Sequence, residues 1–202
     1  MSRHSPWRVD ADSSGLALVR LPHEPLLEPI FGLARDPDVA THMEWGPHRS
    51  ITDTHFFFQT CATDFASGRA VHFAVLELPT ENVIGVASLL FTDGTVPCRI
   101  EATRWLGRAY WGRGIGTRLL SLLLHIAFTH FEAEEVFLRV AVENVAAQRS
   151  IRKLDIPLIY AEPEALAIQG RQVDCLRFSI RRGSWLANHG ASAVKTLVYY
   201  EP

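Results

Sequence analysis

The chain has little cysteine and no motif typical of a structural metal site. Its 202 residues include 3 cysteines, Cys61, Cys98 and Cys175, which lie far apart and form no Cys-x-x-Cys pair. This usage excludes a disulfide framework and a zinc ribbon, and it suits a reducing compartment. The 9 histidines form no His-x-x-x-His or His-Glu-x-x-His arrangement beside a carboxylate, so we predict no metal site.

Long apolar runs and an excess of basic residues are also missing. No apolar run approaches the roughly 18 residues of a membrane-spanning helix, and residues 1–12 lack the apolar core of a signal peptide. The net charge is -2, from 20 basic and 22 acidic residues, which gives no electrostatic basis for binding nucleic acid or a membrane. We therefore expect a cytoplasmic protein with a smaller ligand.

Three glycines at alternate positions stand out where an apolar strand-like run meets a long apolar helix. Gly112, Gly114 and Gly116 remove the side chains that would keep an anion away from the peptide N–H groups at the start of the helix over 115–128. The helix N-terminus adds partial positive charge, and Arg113 can add a full one. The turn therefore predicts a phosphate-binding site.

Two other phosphate-binding turns fit this segment poorly. A dinucleotide fold requires Gly-x-Gly-x-x-Gly with an acidic residue about 20 positions later, whereas Glu143 stands 31 positions after Gly112. A Walker loop requires Gly-Lys-Ser/Thr, which is absent.

Apolar periodicity predicts one α/β domain over residues 16–185. Three runs joined by short polar turns indicate an antiparallel meander, and the strand–helix–strand–helix unit that follows the third run implies a parallel pair. The predicted strands lie at 16–21, 71–78, 83–91, 99–106, 136–142, 158–161 and 173–180, and the helices at 26–35, 54–67, 115–128 and 144–154.

The two ends of the chain are predicted to differ from this domain. Residues 1–15 show no periodicity and are expected to form a flexible arm. The extension over 186–202 carries a β-type segment, which we expect to join a sheet edge, either its own or that of a second subunit in a homodimer.

The glycine turn, together with three further segments, resembles the GNAT superfamily of acetyl-CoA-dependent N-acetyltransferases. Residues 110–117 resemble its pyrophosphate loop, with Trp111 where Gln or Arg often stands, as in the branch that acetylates protein N-termini, including ribosomal proteins. The other similar segments are the strand over 100–106, the helix over 144–156, and the closing strand from Gly170 and Asp174 to Trp185.

This resemblance implies a mixed, mostly antiparallel central sheet with a splayed parallel strand pair and flanking helices. It further implies direct transfer of acetyl from acetyl-CoA, lying in the splayed gap, to a primary amine: a protein N-terminus, a polyamine or an amine-bearing antibiotic. The residues it implies for acetyl-CoA binding are Trp105, Leu106, Trp111, Gly112, Arg113, Gly114, Ile115, Gly116, Thr117, Asn144 and Lys153. For Asn144, a helix N-cap is an equally good interpretation.

Two carboxylates are candidates for the proton acceptor that direct transfer requires. Strand alternation places Glu101 on one face with Thr103 and Trp105, in the strand that leads to the glycine turn, so Glu101 is the first candidate. Glu44 is the second, acting either as a base or as a carboxylate that binds the amine.

The helix after Asn144 departs from the family pattern. Ala147 stands at the usual Ser position and Ile151 at the usual Tyr position, while Ser150 lies one turn further on. The CoA thiolate can leave without a protein acid, because the pKa of the CoA thiol is near that of an ordinary thiol. The same departures suit a second hypothesis, a non-catalytic acyl-CoA-binding module.

Overall fold

A nine-stranded mixed sheet forms the centre of the part of the chain that the structure, a computed structural model, describes: residues 8–92, 99–189 and 198–200. The strands are β1 Arg8–Ala11, β2 Leu16–Arg20, β3 Ala70–Glu77, β4 Asn82–Phe91, β5 Arg99–Leu106, β6 Glu135–Ala141, β7 Leu158–Ile168, β8 Arg171–Arg181 and β9 Val198–Tyr200. Their order is β7-β8-β6-β5-β4-β3-β2-β1-β9, with β5 and β6 parallel and the other pairs antiparallel. The predicted fold class is confirmed.

Helices cover both faces of this sheet. They are α1 Leu27–Ala34, α2 Pro37–Ala40, α3 Ile51–Ala66, α4 Ile115–Thr129, α5 Val145–Arg152 and α6 Arg182–His189. On β3, Phe73 and Val75 pack in the core that contains α4 and α5, while Ala74 and Leu76 pack with α1 and α3. Because both faces are buried, the central strands read as almost continuous apolar runs.

The start of α3 shows how local sequence positions the acceptor side of the molecule. Ser50 and Asp53 form the capping box that their spacing predicts. The Asp53 carboxylate accepts hydrogen bonds from the backbone N–H groups of Arg49 at 2.7 Å and Ser50 at 3.2 Å. These bonds fix where the loop over 41–49 joins the helix.

The parallel pair separates after three residue pairs. β5 and β6 are paired from Arg99–Glu135 to Glu101–Phe137 and no further. Beyond that point β5 stays paired with β4 as far as Leu106, and β6 stays paired with β8 as far as Ala141. The facing backbone groups of 102–106 and 138–141 therefore lack a strand partner, which opens a cleft inside the sheet.

The N-terminal arm is the clearest correction to the sequence analysis. Residues 8–11 form β1 and 12–14 a short 3₁₀ helix, with Val9 and Ala11 fully buried. The expectation of a flexible arm is wrong for these residues, because a four-residue strand with charged Arg8 and Asp10 is too short to reveal its alternation. Residues 1–7 lie outside the described residues.

The C-terminal β-type segment joins the edge strand of its own sheet. β9 pairs antiparallel with β1, with Arg8 opposite Tyr200. Of the two edges considered for this segment, the structure shows the intramolecular one, and the homodimer stays a prediction.

The last hairpin and helix extend beyond the predicted limits. β7 and β8 are longer than expected and meet at a two-residue turn in which Gln169 and Gly170 have φ values of 47° and 81°. The Gln169 side chain donates to the carbonyl of Ala40 at 2.8 Å, so the hairpin tip reaches α2. The expected domain limit at Trp185 falls inside α6.

We expect Trp185→Ala to lower the free energy of unfolding by about 3–5 kcal/mol, because it leaves a large cavity in the core. Trp185 is 1% exposed, lies 6.3 Å from the Phe128 ring and stacks on His189. Urea unfolding measures the change, with Leu186→Ala, at a 42% exposed neighbour, as the control. Equal losses in both variants would show that α6 contributes no core.

Candidate active site

The separated strands enclose a cavity of about 300 Å³. The loop around Trp45 and the hairpin residues Leu166 and Ile168 close it on the side of α3. Glu101, Thr103 and Trp105 all line it, as do Ala102 and Arg104 of the same strand. Trp105 packs in the core with α1 and α3, whereas Ala102 and Leu106 pack in the core with α4 and α5. Strand alternation then places Glu101, Thr103 and Trp105 on one face, as predicted. The cavity therefore brings both predicted carboxylates, Glu44 and Glu101, to one place.

The glycine turn forms an open cradle at the start of α4. Gly112 and Gly114 have φ values of 72° and 73°, which disfavour other residues, and a Cβ at either position would meet no atom within 4 Å. Among the described residues, no hydrogen-bond acceptor faces the peptide N–H groups of 112–116. Thr117, also expected to bind phosphate, already donates its N–H to Gly114 at 3.2 Å. The cradle thus consists of five consecutive N–H groups over 112–116, which suits a pyrophosphate.

Two side chains of this turn have protein partners. The Arg113 guanidinium contacts the Glu77 carboxylate at 2.6 Å, so it must leave Glu77 to reach a phosphate. The Trp111 indole N–H donates to the carbonyl of Leu106 at 2.8 Å and joins the turn to the end of β5.

Gly85 permits the close approach of β4 to this end of β5. A Cβ there would lie 2.2 Å from the Trp105 carbonyl oxygen. Only glycine fits at that distance, and sequence reasoning had not singled it out. The resulting contact holds Trp105 and Leu106 at the point where the cleft opens.

Helix α5 confirms the N-cap interpretation of Asn144, and it places the two predicted residues Asn144 and Lys153 at its opposite ends. The Asn144 side chain accepts from the N–H of Ala147 at 3.0 Å, so it is an N-cap, and it also lines the cavity. Lys153, by contrast, is exposed at the far end of α5 and does not line the cavity.

The usual acid positions on α5 carry no proton donor. Ala147 lines the cavity and Ile151 is fully buried. Ser150, one turn on, donates its hydroxyl to the Ala147 carbonyl at 2.8 Å and accepts from Arg104 at 2.6 Å.

Arg104, which sequence reasoning missed, joins three elements beneath the cleft. Its guanidinium donates to Ser150 of α5 and to the carbonyl of Gly116 of α4 at 3.0 Å. Burial lowers the pKa of Arg104 to about 10, so it stays cationic at neutral pH.

Both predicted carboxylates converge on one arginine of β6. Arg139 Nε lies 2.9 Å from Glu101 Oε1, and Arg139 Nη2 lies 3.8 Å from Glu44 Oε1. Burial alone would lower the pKa of Arg139, but the hydrogen bond and charge of Glu101 outweigh it and raise the pKa. Glu101 is 8% exposed, whereas the Glu44 side chain is 60% exposed. Glu44 is the carboxylate that an entering cation meets first.

Aromatic side chains, among them the predicted Trp105, complete the acceptor wall together with two polar residues that sequence reasoning missed, His72 and Ser88. The Trp45 ring lies 5.4 Å from that of Trp105, and Phe57 faces His72 at 5.9 Å. His72 Nδ1 and Ser88 Oγ are 2.8 Å apart, and both residues line the cavity. Their signal in the sequence was a single polar residue inside each of two apolar strands.

The described residues lack the features of two other function classes. No helix there has the length and apolar character needed to cross a bilayer. No group of three or more His, Cys, Asp or Glu side chains there is placed to hold a metal ion; Cys98 lies outside this part of the chain.

A sheet that separates beside an N–H cradle, with carboxylates on the opposite wall, is compatible with a transferase that takes a phosphate-bearing donor and an amine. Residues 16–156 match the model of the acetyltransferase (GNAT) domain family. The chain therefore belongs to this family and is an acetyl-CoA-dependent N-acetyltransferase.

Known relatives are distant in sequence but share the fold. The chain is 23% identical over 145 residues to an uncharacterized N-acetyltransferase p20 of Bacillus licheniformis, covering 72% of this chain and 81% of that one. A spermidine N-acetyltransferase of Vibrio cholerae, solved with CoA and spermine, superposes with a TM-score of 0.74 at 21% identity, covering 86% and 99% of the two chains. A GCN5-related N-acetyltransferase of Brucella melitensis superposes with a TM-score of 0.76 at 17% identity, covering 88% of this chain and 80% of that one. None of these likenesses confirms the branch that acetylates protein N-termini.

We expect Gly114→Asp to abolish the thermal stabilisation by CoA, because it places an anion inside the N–H cradle. Gly114→Asn is the matched control, since Asn has the same shape, tolerates positive φ and carries no charge. Scanning calorimetry with increasing CoA should give the order wild type, Asn variant, Asp variant. If CoA raised the unfolding temperature of the Asp variant as much as that of the wild type, this would show that pyrophosphate does not bind at this turn.

Proposed function

We propose that the chain transfers acetyl from acetyl-CoA to a primary amine. This acceptor carries a single positive charge, on the ammonium group that is acetylated. The observation that supports this most is the charge on the acceptor side of the cavity. Glu44 and Glu101 face it with one cation, Arg139, between them. Arg104 also lines the cavity, but hydrogen bonds hold its guanidinium to α4 and α5, on the other face of β5. The net single negative charge matches one ammonium.

The donor side is proposed to hold acetyl-CoA by backbone groups. The N–H groups of 112–116 would bind its pyrophosphate. The backbone of β5 around Trp105 and Leu106, without a strand partner on the cleft side, would pair with the pantetheine amide. A strand N–H near Leu106 would polarise the thioester carbonyl. Asn144 would keep the pantetheine arm beside α5, and Lys153 is left without a proposed contact.

The leaving group is proposed to depart as a thiolate. No hydroxyl stands at Ala147 or Ile151, and the Ser150 hydrogen is already donated to a carbonyl. Because the pKa of a thiol is only about 8.5, its thiolate is a good leaving group, and this step needs no side-chain acid.

The structure also bears on how Glu101 acts. For Glu101 to accept a proton, its ion pair with Arg139 must break, and a partly buried arginine without its partner is costly. This contact favours a role in which Glu101 holds Arg139 and contributes negative charge. Its role as the base stays a prediction.

A thiol-release assay over a panel of amines tests the proposed function. We expect turnover of acetyl-CoA with single-ammonium acceptors, including short peptides with free N-termini, and a lower kcat/KM with spermidine, whose further cations find no matching carboxylates. A preference for spermidine would contradict the charge argument. CoA-induced stabilisation without thiol release on any amine would favour the non-catalytic binding module instead.

We expect Glu44→Gln to raise the KM for a cationic amine about fivefold, with kcat nearly unchanged, because an exposed carboxylate contributes only about 1 kcal/mol to ion pairing. The effect should shrink as salt is added. Glu28→Gln, at an exposed position of α1 outside the cavity, is the control. An unchanged KM would show that the ammonium does not bind at Glu44.

A further inference from the structure

A continuous hydrogen-bonded chain runs from the surface of α3 into the acceptor side of the cavity. Asp64 Oδ2 lies 3.0 Å from His72 Nε2, and His72 Nδ1 lies 2.8 Å from Ser88 Oγ. His72 and Ser88 are directly opposite each other on β3 and β4, and Ser88 is opposite Thr103 on β5. All three lie on the face that carries Glu101.

The partners fix the direction of this chain. Burial alone would raise the pKa of Asp64, but hydrogen bonds from His72 and Arg69 outweigh it and lower the pKa. An ionised carboxylate only accepts hydrogen bonds, so His72 carries its hydrogen on Nε2 and presents Nδ1 as an acceptor. The Ser88 hydroxyl then donates to Nδ1, which leaves the oxygen lone pairs of Ser88 to accept a hydrogen bond from the cavity.

The surroundings keep His72 neutral and able to take a proton. Burial lowers the pKa of His72 below 6.5, although the hydrogen bond and charge of Asp64 oppose this. The charged groups that face it are Asp64, which is itself bonded to Arg69, and the ion pair of Glu101 with Arg139 on the same face of the sheet. Cys61, buried on α3, stays a thiol because burial raises its pKa.

The geometry points to His72 as the group that accepts the proton of the amine through Ser88. Ser88 Oγ takes a proton from the ammonium while its own hydroxyl proton passes to His72 Nδ1, and Asp64 stabilises the resulting imidazolium. The freed nitrogen lone pair forms the new C–N bond at the thioester carbonyl, the C–S bond breaks, and the sulfur leaves with its electron pair as thiolate. The second proton, which the nitrogen loses as the amide forms, passes to this thiolate and gives the CoA thiol. The proton on His72 returns to solvent by the same path after the product leaves.

This inference rests on the proposed amine acetylation and explains how it proceeds with Glu101 paired to Arg139. Ser88 is the residue that meets the amine. His72 acts through Ser88, and Asp64 positions His72 and sets its charge. In the proposed step Ser88 gives its proton to His72 as it takes one from the ammonium, so its hydroxyl is restored and no acyl-serine is part of the path.

Steady-state kinetics from pH 5 to pH 9 on the wild type and five variants, with the best acceptor of the panel, test the chain. Ser88→Ala and His72→Gln are expected to lower kcat at neutral pH about 100-fold or more, the size of a lost general base, while KM and CoA-induced stabilisation stay near the wild-type values. Ser88→Thr keeps the hydroxyl and should restore most of the rate.

The pH profile separates a proton path from a structural role. The wild-type kcat should fall on the acid side with a midpoint below pH 6.5, and His72→Gln should lack this fall. Asp64→Asn should move it to lower pH, because loss of the carboxylate charge lowers the pKa of His72 further. A merely structural role would lower the rate without moving the midpoint.

Three results overturn the inference. They are a near-wild-type rate and pH profile in Ser88→Ala and His72→Gln, an acid limb that disappears in Glu101→Gln alone, and a trapped acetyl group on Ser88 in the intact-mass spectrum. A wild-type protein that releases no thiol with any amine is a different outcome, because it removes the proposed function itself.

Discussion

The early end of the β5–β6 pairing is the constraint on which the rest of this structure depends. After Glu101 and Phe137 the two strands no longer bond to each other, yet each stays hydrogen-bonded to its outer neighbour. Backbone groups that face the gap without a partner are costly to bury unless a ligand satisfies them. The gap therefore stays open in the middle of a well-packed sheet, because the strands on both sides hold it.

The two walls of the gap carry opposite chemistry because successive residues of one strand face opposite ways. On β5, Arg104 turns toward α4 and α5, while Glu101 and Thr103 turn toward α3 and the loop around Trp45. A donor with phosphates and an acceptor with a positive charge can thus approach one strand from its two sides. The alternation of a single strand therefore gives the two walls side chains of opposite charge.

Charges on the acceptor wall are shared rather than free. Arg139 binds Glu101 and lies near Glu44, and Arg69 and His72 share Asp64. In such networks the role of a carboxylate depends on its partner more than on its position in the strand, since a paired carboxylate resists protonation. Proton transfer to His72 leaves the Glu101–Arg139 ion pair intact. In this proposal the carboxylates therefore bind the charge of the amine, and a different residue, His72, takes its proton.

Local sequence alone determined the longer strands, the main helices, the capping box of α3 and the glycine cradle. Each depends on residues close together in the chain, so periodicity and positive-φ glycines report them directly. The short β1 and α2, the full β7–β8 hairpin and α6 were missed, because a few polar or short segments carry too weak a pattern. The shared face of Glu101, Thr103 and Trp105 also followed from the sequence, since alternation is a local property.

Tertiary structure alone decided that Arg139 meets Glu101, that Arg104 meets Ser150, and that His72 meets Ser88. These contacts depend on strand register and helix docking between residues far apart in the chain, which the order of residues within one element does not encode.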